Sequence, residues 1–168
     1  KVMKNIRNTT NSRIFIKEFP SKSVTVDQLH ANIRSVRMAG FNPSVIFVDY
    51  ADLLRPSDKR QDKREELGDI FVQLRSVAQM ENIPIWTPTQ GNRGSYNKNL
   101  VDMDDIAEDF SKAMTCDTMI SICQSREEKS TGQMRIFIAK NRNGLDKVSF
   151  QFAVDYDRMK LSDLGVQV

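Results

Sequence analysis

The sequence predicts an α/β domain: a mainly parallel, twisted sheet flanked by helices, closed at its carboxyl end by an antiparallel β-hairpin. Three observations carry this. Two short apolar runs, Val45-Ile-Phe-Val48 and Ile83-Pro-Ile-Trp-Thr-Pro-Thr89, lack alternation, as expected of strands covered on both faces. The segments beside them repeat their apolar residues at the helical period. Late in the chain the pattern switches, and Val148, Phe150, Phe152 and Val154 alternate with Ser149, Gln151 and Ala153, which implies one buried face. At 168 residues the chain is long enough for one domain with a real core, and residues 1–168 are read as a single domain.

Taken in order, Arg13–Phe19 (RIFIKEF) reads as a short strand. A helix over Ser23–Met38 follows, starting at the capping-box pattern Thr25-Val-Asp-Gln28, with Val26, Leu29, Ile33 and Val36 on one stripe and Gly40 placed to stop it. After the Val45–Val48 strand comes a charged loop from Arg55 to about Lys63. A strongly amphipathic helix then carries Leu67, Ile70, Phe71, Leu74, Val77 and Ala78 on one stripe. The Ile83–Thr89 strand and a loop rich in Gly, Asn and Lys (Gly91–Asn99) lead to a helix over Asp104–Met114 and a strand over Thr118–Cys123. Met134–Ala139 and Val148–Val154 flank an Asn143-Gly144 turn and form the hairpin.

Composition excludes more than it selects. A net charge of +3 permits a polyanionic partner without demanding one. The basic stretches, among them Arg55–Arg64 (RPSDKRQDKR), are ordinary as solvated surface. Cys116, Cys123 and the single histidine, His30, match no zinc-ligand spacing. The two thiols sit in or beside apolar segments, as small buried side chains do in a reducing cytosol. No apolar run approaches the roughly 18–20 residues that span a bilayer, so a soluble, cytoplasmic protein with no membrane partner is expected. The chain opens at Lys1 without an initiator methionine, which suggests a piece of a longer polypeptide.

In open parallel sheets ligands lie beyond the carboxyl ends of the strands, so polar residues there are the candidates for chemistry. Asp49 follows four apolar residues. A carboxylate so placed suits Mg²⁺, which favours one or two carboxylates plus phosphate oxygens; it could equally cap the next turn. Gln90 ends the second strand, where a glutamine can orient water or read a terminal phosphate, or simply serve a turn. At the hairpin tip, Lys140 and Arg142 in Lys140-Asn-Arg-Asn-Gly144 point the same way before a turn, and an arginine fork suits phosphate; a solvated turn is the plain alternative.

In this order the features resemble the DnaB family of hexameric replicative DNA helicases. Its acid-ending strand followed by tyrosine matches Asp49-Tyr50-Ala-Asp-Leu53, its Ser-Gln-x-Asn-Arg segment matches Thr89-Gln90-Gly-Asn92-Arg93, and its Lys-x-Arg-Asn-Gly hairpin matches Lys140–Gly144. The stretch Asp105–Asp117 is also similar to the family's segment between its DNA loop and the next strand. The resemblance implies a RecA-like ATPase core of which this chain is the carboxyl-terminal part. It implies Asp49 as the Walker B acid acting on Mg²⁺, and Gln90 as the sensor of the ATP γ-phosphate. Lys140 and Arg142 would reach a neighbouring subunit's γ-phosphate, Arg142 as arginine finger. Arg93, Lys98 and Glu108 would lie near single-stranded DNA. The implied partners are single-stranded DNA, the chain's own copies in a ring expected to be a hexamer, and a primase or helicase loader.

Some residues depart from the family. Pro88 removes a ladder donor just before Gln90. Ala107-Glu108-Asp109-Phe110 stands where the family commonly has Arg-Glu-Ser-Gly, divergence that fits a phage-type helicase. No GxxxxGK followed by Ser or Thr occurs, so the phosphate cradle is lacking; in the family it precedes the point where Lys1 falls. This chain alone is therefore expected to bind ATP poorly and hydrolyse none. Two further readings fit the same residues: a RecA-type recombinase-like ATPase, and a degenerate RecA-like module that binds DNA or partners without hydrolysis.

Overall fold

The computed structural model describes residues 13–58, 60–90 and 110–167. Its first helix, α1 (Val26–Met38), begins as the capping box predicts: the Gln28 amide donates to Thr25 Oγ1 at 3.3 Å and the Thr25 amide to Gln28 Oε1 at 3.1 Å. It ends at Gly40, whose φ of +85° suits a residue without a side chain, and the Phe41 amide returns to the Val36 carbonyl at 3.1 Å. Strand β1 (Ile46–Phe47) leads through a 3₁₀ turn (Ala51–Leu53) and a charged loop to α2 (Lys63–Glu81). Asp62 caps the start of α2 through the Arg64 amide at 2.8 Å, and left-handed Asn82 closes its end. Strand β2 (Ile85–Trp86) pairs parallel to β1, Ile46 opposite Ile85 and Phe47 opposite Trp86.

The core sits where α1, α2 and the 3₁₀ turn meet. Val26, Ile33, Ala51, Leu54, Ile70, Leu74 and Val77 are buried, with Leu29, Ile46, Val48, Leu67, Phe71 and Ile85 packed against them. These are largely the residues on the two predicted helical stripes. One ion-pair cluster ties the helices at the rim. His30 Nε2 lies 2.7 Å from Glu81 Oε1, and Arg37 donates to Glu81 Oε2.

The second half follows α3 (Phe110–Thr115): β3 (Thr118–Cys123), a short α4 (Arg126–Ser130), β4 (Gln133–Asn141), β5 (Val148–Asp155) and β6 (Lys160–Gln167). These four strands form an antiparallel meander in the order β3-β4-β5-β6. α4 has its own capping box, Ser125 with Glu128, and Glu128 also receives Arg135 of β4 through two bonds of 2.5 and 3.0 Å.

The mainly parallel sheet expected from the apolar runs is therefore corrected: among the described residues the parallel part is the two-residue β1–β2 ladder, and the larger sheet is antiparallel. The runs are also covered on one face, not two. Ile46, Val48 and Ile85 turn inward, while Val45, Phe47 and Trp86 are exposed. Arg13–Phe19 takes no strand, because it finds no ladder partner among the described residues. The Asp104–Met114 helix is seen over Phe110–Thr115; residues 104–109 lie outside the described residues. β5 is half-buried along its whole length instead of having one buried face. The 134–154 hairpin is present as expected, in the register Ile138 opposite Val148 and Met134 opposite Phe152.

Candidate functional site

The β1–β2 ladder decides where the first two candidates lie. In a parallel pair both carboxyl ends face one edge, and Asp49 and Gln90 follow those ends by two and four residues. Ladder bonds run from the Ile46 amide to the Pro84 carbonyl (3.0 Å) and from the Val48 amide to the Trp86 carbonyl (2.9 Å). Beyond them, side chains continue the tie. The buried Ala51 amide donates to Thr87 Oγ1 at 2.8 Å, and Thr89 Oγ1 donates to Asp52 Oδ2 at 3.1 Å. Pro88 lacks an amide proton, so these two threonines do the joining where the ladder stops. Lys22 braces the same turn through the Asp52 and Leu54 carbonyls at 2.6 and 3.1 Å.

The alternation that turns Ile46, Val48, Thr87 and Thr89 inward leaves Asp49 and Gln90 exposed. Asp49 is thus an acid that meets solvent at the edge of the ladder. Mg²⁺ held by one carboxylate plus phosphate oxygens fits this arrangement.

The hairpin pair behaves less alike than its spacing suggests. Lys140 lies within β4, opposite Met119, and its ammonium donates to the carbonyls of Ala113 (2.8 Å) and Met114 (3.2 Å) at the end of α3. Arg142 lies past the end of β4 and is exposed. Its amide donates to the Asp117 carbonyl at 2.9 Å and its Nη1 stands 3.1 Å from Asp117 Oδ1. The turn is longer than the predicted Asn-Gly pair, running from Arg142 to Lys147, because β4 outlasts β5 and pairs its last residues with β3. Asn141 braces it, with Nδ2 donating to the Leu145 carbonyl at 3.3 Å. A Cβ on Gly144 would sit 2.7 Å from that same nitrogen, so only glycine fits without a shift.

Sequence reasoning missed Asp117 and Arg75. From α2, Arg75 donates to the Thr115 carbonyl and, through Nη2 at 2.8 Å, to Asp117 Oδ1. Their only signal was an acid directly before an apolar strand. Burial pushes the neighbouring Cys116 thiol above its ordinary range, which keeps it protonated. Cys116 and Cys123 are both free thiols. Arg93, Lys98 and Glu108 lie outside the described residues.

The chain thus carries a helical layer on a parallel strand pair, with an acid and an amide beyond its carboxyl edge, followed by an antiparallel meander with an exposed arginine. The family model for the DnaB-like helicase C-terminal domain matches residues 1–161, and the chain belongs to that family. Among curated relatives it is 24% identical over 140 residues to the DnaB-like replicative helicase of Enterobacteria phage T4, covering 81% of this chain and 30% of that protein. It is 26% identical over 170 residues to the replicative DNA helicase DnaC of Bacillus subtilis (strain 168), covering 94% of this chain and 37% of that protein. The chain thus spans about a third of the length of these relatives. The solved ATPase domain of G40P superposes with a TM-score of 0.74 at 17% identity, over 84% of this chain and 52% of the other. A DnaB-like replicative helicase, solved in a study of its interactions with primase, gives 0.77 at 17% identity, over 92% and 39%. No helix among the described residues is long and apolar enough to cross a membrane.

Proposed function

We propose that this chain is the carboxyl-terminal part of the motor domain of an ATP-dependent replicative DNA helicase, one that couples hydrolysis at subunit interfaces to translocation on single-stranded DNA and duplex unwinding. The observation that carries this is the pairing of exposed Asp49 and Gln90 at the carboxyl edge of β1 and β2, tied there by Thr87 and Thr89. Family membership favours this reading over a recombinase or a module without hydrolysis.

Asp49 holds Mg²⁺ together with the phosphates of ATP. When bound, the ion neutralises charge that builds on the transferring phosphoryl group. Gln90 reads the γ-phosphate and passes its state to the following segment, whose Arg93, Lys98 and Glu108 are the proposed DNA-binding residues. Arg142 acts as an arginine finger on a neighbouring subunit's nucleotide in a hexameric ring. Lys140 joins it only on leaving the Ala113 and Met114 carbonyls. A primase is the partner that the structural neighbour suggests.

The test is Arg142→Ala in the full-length protein. An arginine finger is worth about 10³–10⁵ in rate, so turnover should collapse while the variant subunit still binds nucleotide in its own phosphate loop. Lysine keeps the charge but loses the planar fork, so Arg142→Lys should rescue only partly. Mixing Arg142→Ala subunits with subunits defective in the phosphate loop should restore ATPase activity, because each completes the other's site. Wild-type turnover by Arg142→Ala in verified hexamers would refute the reading.

A further inference from the structure

Residues 113–117, the junction between α3 and β3, collect three cations, one each from α2, β4 and the turn after β4. Lys140 of β4 takes the Ala113 and Met114 carbonyls, Arg75 of α2 takes the Thr115 carbonyl, and the Asp117 carboxylate takes both Arg75 and Arg142. Both guanidinium groups converge on one atom, Asp117 Oδ1, at 2.8 Å from Arg75 and 3.1 Å from Arg142. The Asp117 backbone carbonyl also accepts the Arg142 amide at 2.9 Å, so side chain and main chain of Arg142 are held by the same residue.

We infer that Asp117 is a positioning residue for Arg142, with Arg75 as the arm that sets the carboxylate. This rests on the reading of Arg142 as an arginine finger. The two halves of the triad differ in firmness. Arg75 is 28% exposed and pinned by a second bond to the Thr115 carbonyl, whereas Arg142 is 47% exposed and its guanidinium is held by Asp117 alone among the contacts described. An isolated exposed ion pair holds little, since two flexible side chains must be ordered for it. Here Arg75 has already ordered the carboxylate, so Arg142 meets an oriented acceptor. One Nη is used in the contact, and the remaining guanidinium N–H groups stay available to an anion arriving from solvent. An acid that neutralised the whole fork would block a finger; one that holds a single corner aims it. Arg75 also gives the aim an origin. α2 joins the strand before Asp49 to the strand before Gln90, so the helix between a subunit's own site residues orients the arginine it offers to its neighbour.

The experiment uses full-length protein carrying Asp117→Asn, Asp117→Glu, Arg75→Gln and Arg142→Ala, singly, with Asp117→Asn also combined with Arg142→Ala. Misplacing a catalytic group by about an ångström costs up to about a hundredfold, so Asp117→Asn should lower kcat roughly ten- to a hundredfold and leave KM for ATP unchanged. Asp117→Glu should recover part of the loss, and Arg75→Gln should show a smaller loss of the same kind. In the Arg142→Ala background, Asp117→Asn should have no further effect on residual turnover, because nothing remains to be aimed. A merely structural role predicts the opposite: an added loss in that background, with KM and kcat moving together. If Asp117→Asn fails to assemble, Arg75→Gln decides by the same kcat and KM split. Wild-type kcat in the assembled variants, while Arg142→Ala is inactive, overturns the positioning role and leaves the finger standing. Wild-type turnover by Arg142→Ala itself removes the finger and this inference with it.

Discussion

Thr87→Val tests the join between the two strand ends most directly. Threonine and valine have nearly the same shape, so the change removes an acceptor without opening a cavity. Ala51 is fully buried, and its amide donates to Thr87 Oγ1 at 2.8 Å. A buried donor stripped of its partner costs about 1–3 kcal/mol. Thr87→Ser keeps the hydroxyl and deletes one methyl of a half-buried side chain, a loss of at most about 0.8 kcal/mol. Valine should therefore be the more damaging replacement, although it is closer in volume. The assay is amide hydrogen exchange over residues 48–54 in the full-length protein. One to three kcal/mol corresponds to roughly 5- to 160-fold, which is the acceleration expected for Thr87→Val, with Thr87→Ser near wild type. Because the same join carries Asp49 and Gln90, the ATPase activity proposed for the full-length protein should fall in the same order. Equal protection in the two variants, or serine worse than valine, would refute the argument.

Two further outcomes follow from packing and charge. Hydrogen bonds from His30 and then Arg37 hold the Glu81 carboxyl below its ordinary range, so the folded state binds that proton less readily than the unfolded chain. The stabilisation is present above the ordinary carboxylate range and is lost as pH falls through it to the lowered folded value; the melting advantage of wild type over Glu81→Gln should shrink over that acid window, and an advantage independent of pH would contradict the assignment. Ile70 is 1% exposed at the centre of the helical core, so Ile70→Ala should cost about 2–5 kcal/mol. Val72→Ala, on the exposed side of the same helix, should stay within about 0.5 kcal/mol, and denaturant midpoints that fail to separate the two would place the core elsewhere.

How much of this could be read in the chain depended on whether the signal was local. The Thr25–Gln28 capping box, the stripe from Leu67 to Ala78 and the period-two run at Val148–Val154 are short-range patterns, and each gave an element of the right type. The parallel sheet was over-read because an unbroken apolar run such as Val45–Val48 carries no information on which elements cover each face. β6 was missed because Lys160-Leu-Ser-Asp-Leu-Gly165 mixes charge and apolar residues on an exposed strand, where pairing with β5 outweighs composition. α4 is all polar (REEKS), although its Ser125–Glu128 cap was legible. For the site, the order of the two apolar runs was enough to foresee Asp49 and Gln90 beyond the carboxyl ends of neighbouring strands. The convergence of Arg75, Asp117 and Arg142 joins positions up to 67 residues apart, and only tertiary contact reveals it.

The bare face of the β1–β2 pair has a spectroscopic consequence. Trp86 is the chain's single tryptophan, it is 41% exposed, and it stands opposite Phe47, which is 75% exposed. A folded chain presenting such a face should bind an environment-sensitive dye without having lost its packing, so dye uptake by itself does not signify a molten state. The indole is also a built-in optical probe of that surface. Whatever comes to cover Phe47 will shift Trp86 emission to the blue and shield it from a soluble quencher, with no label introduced.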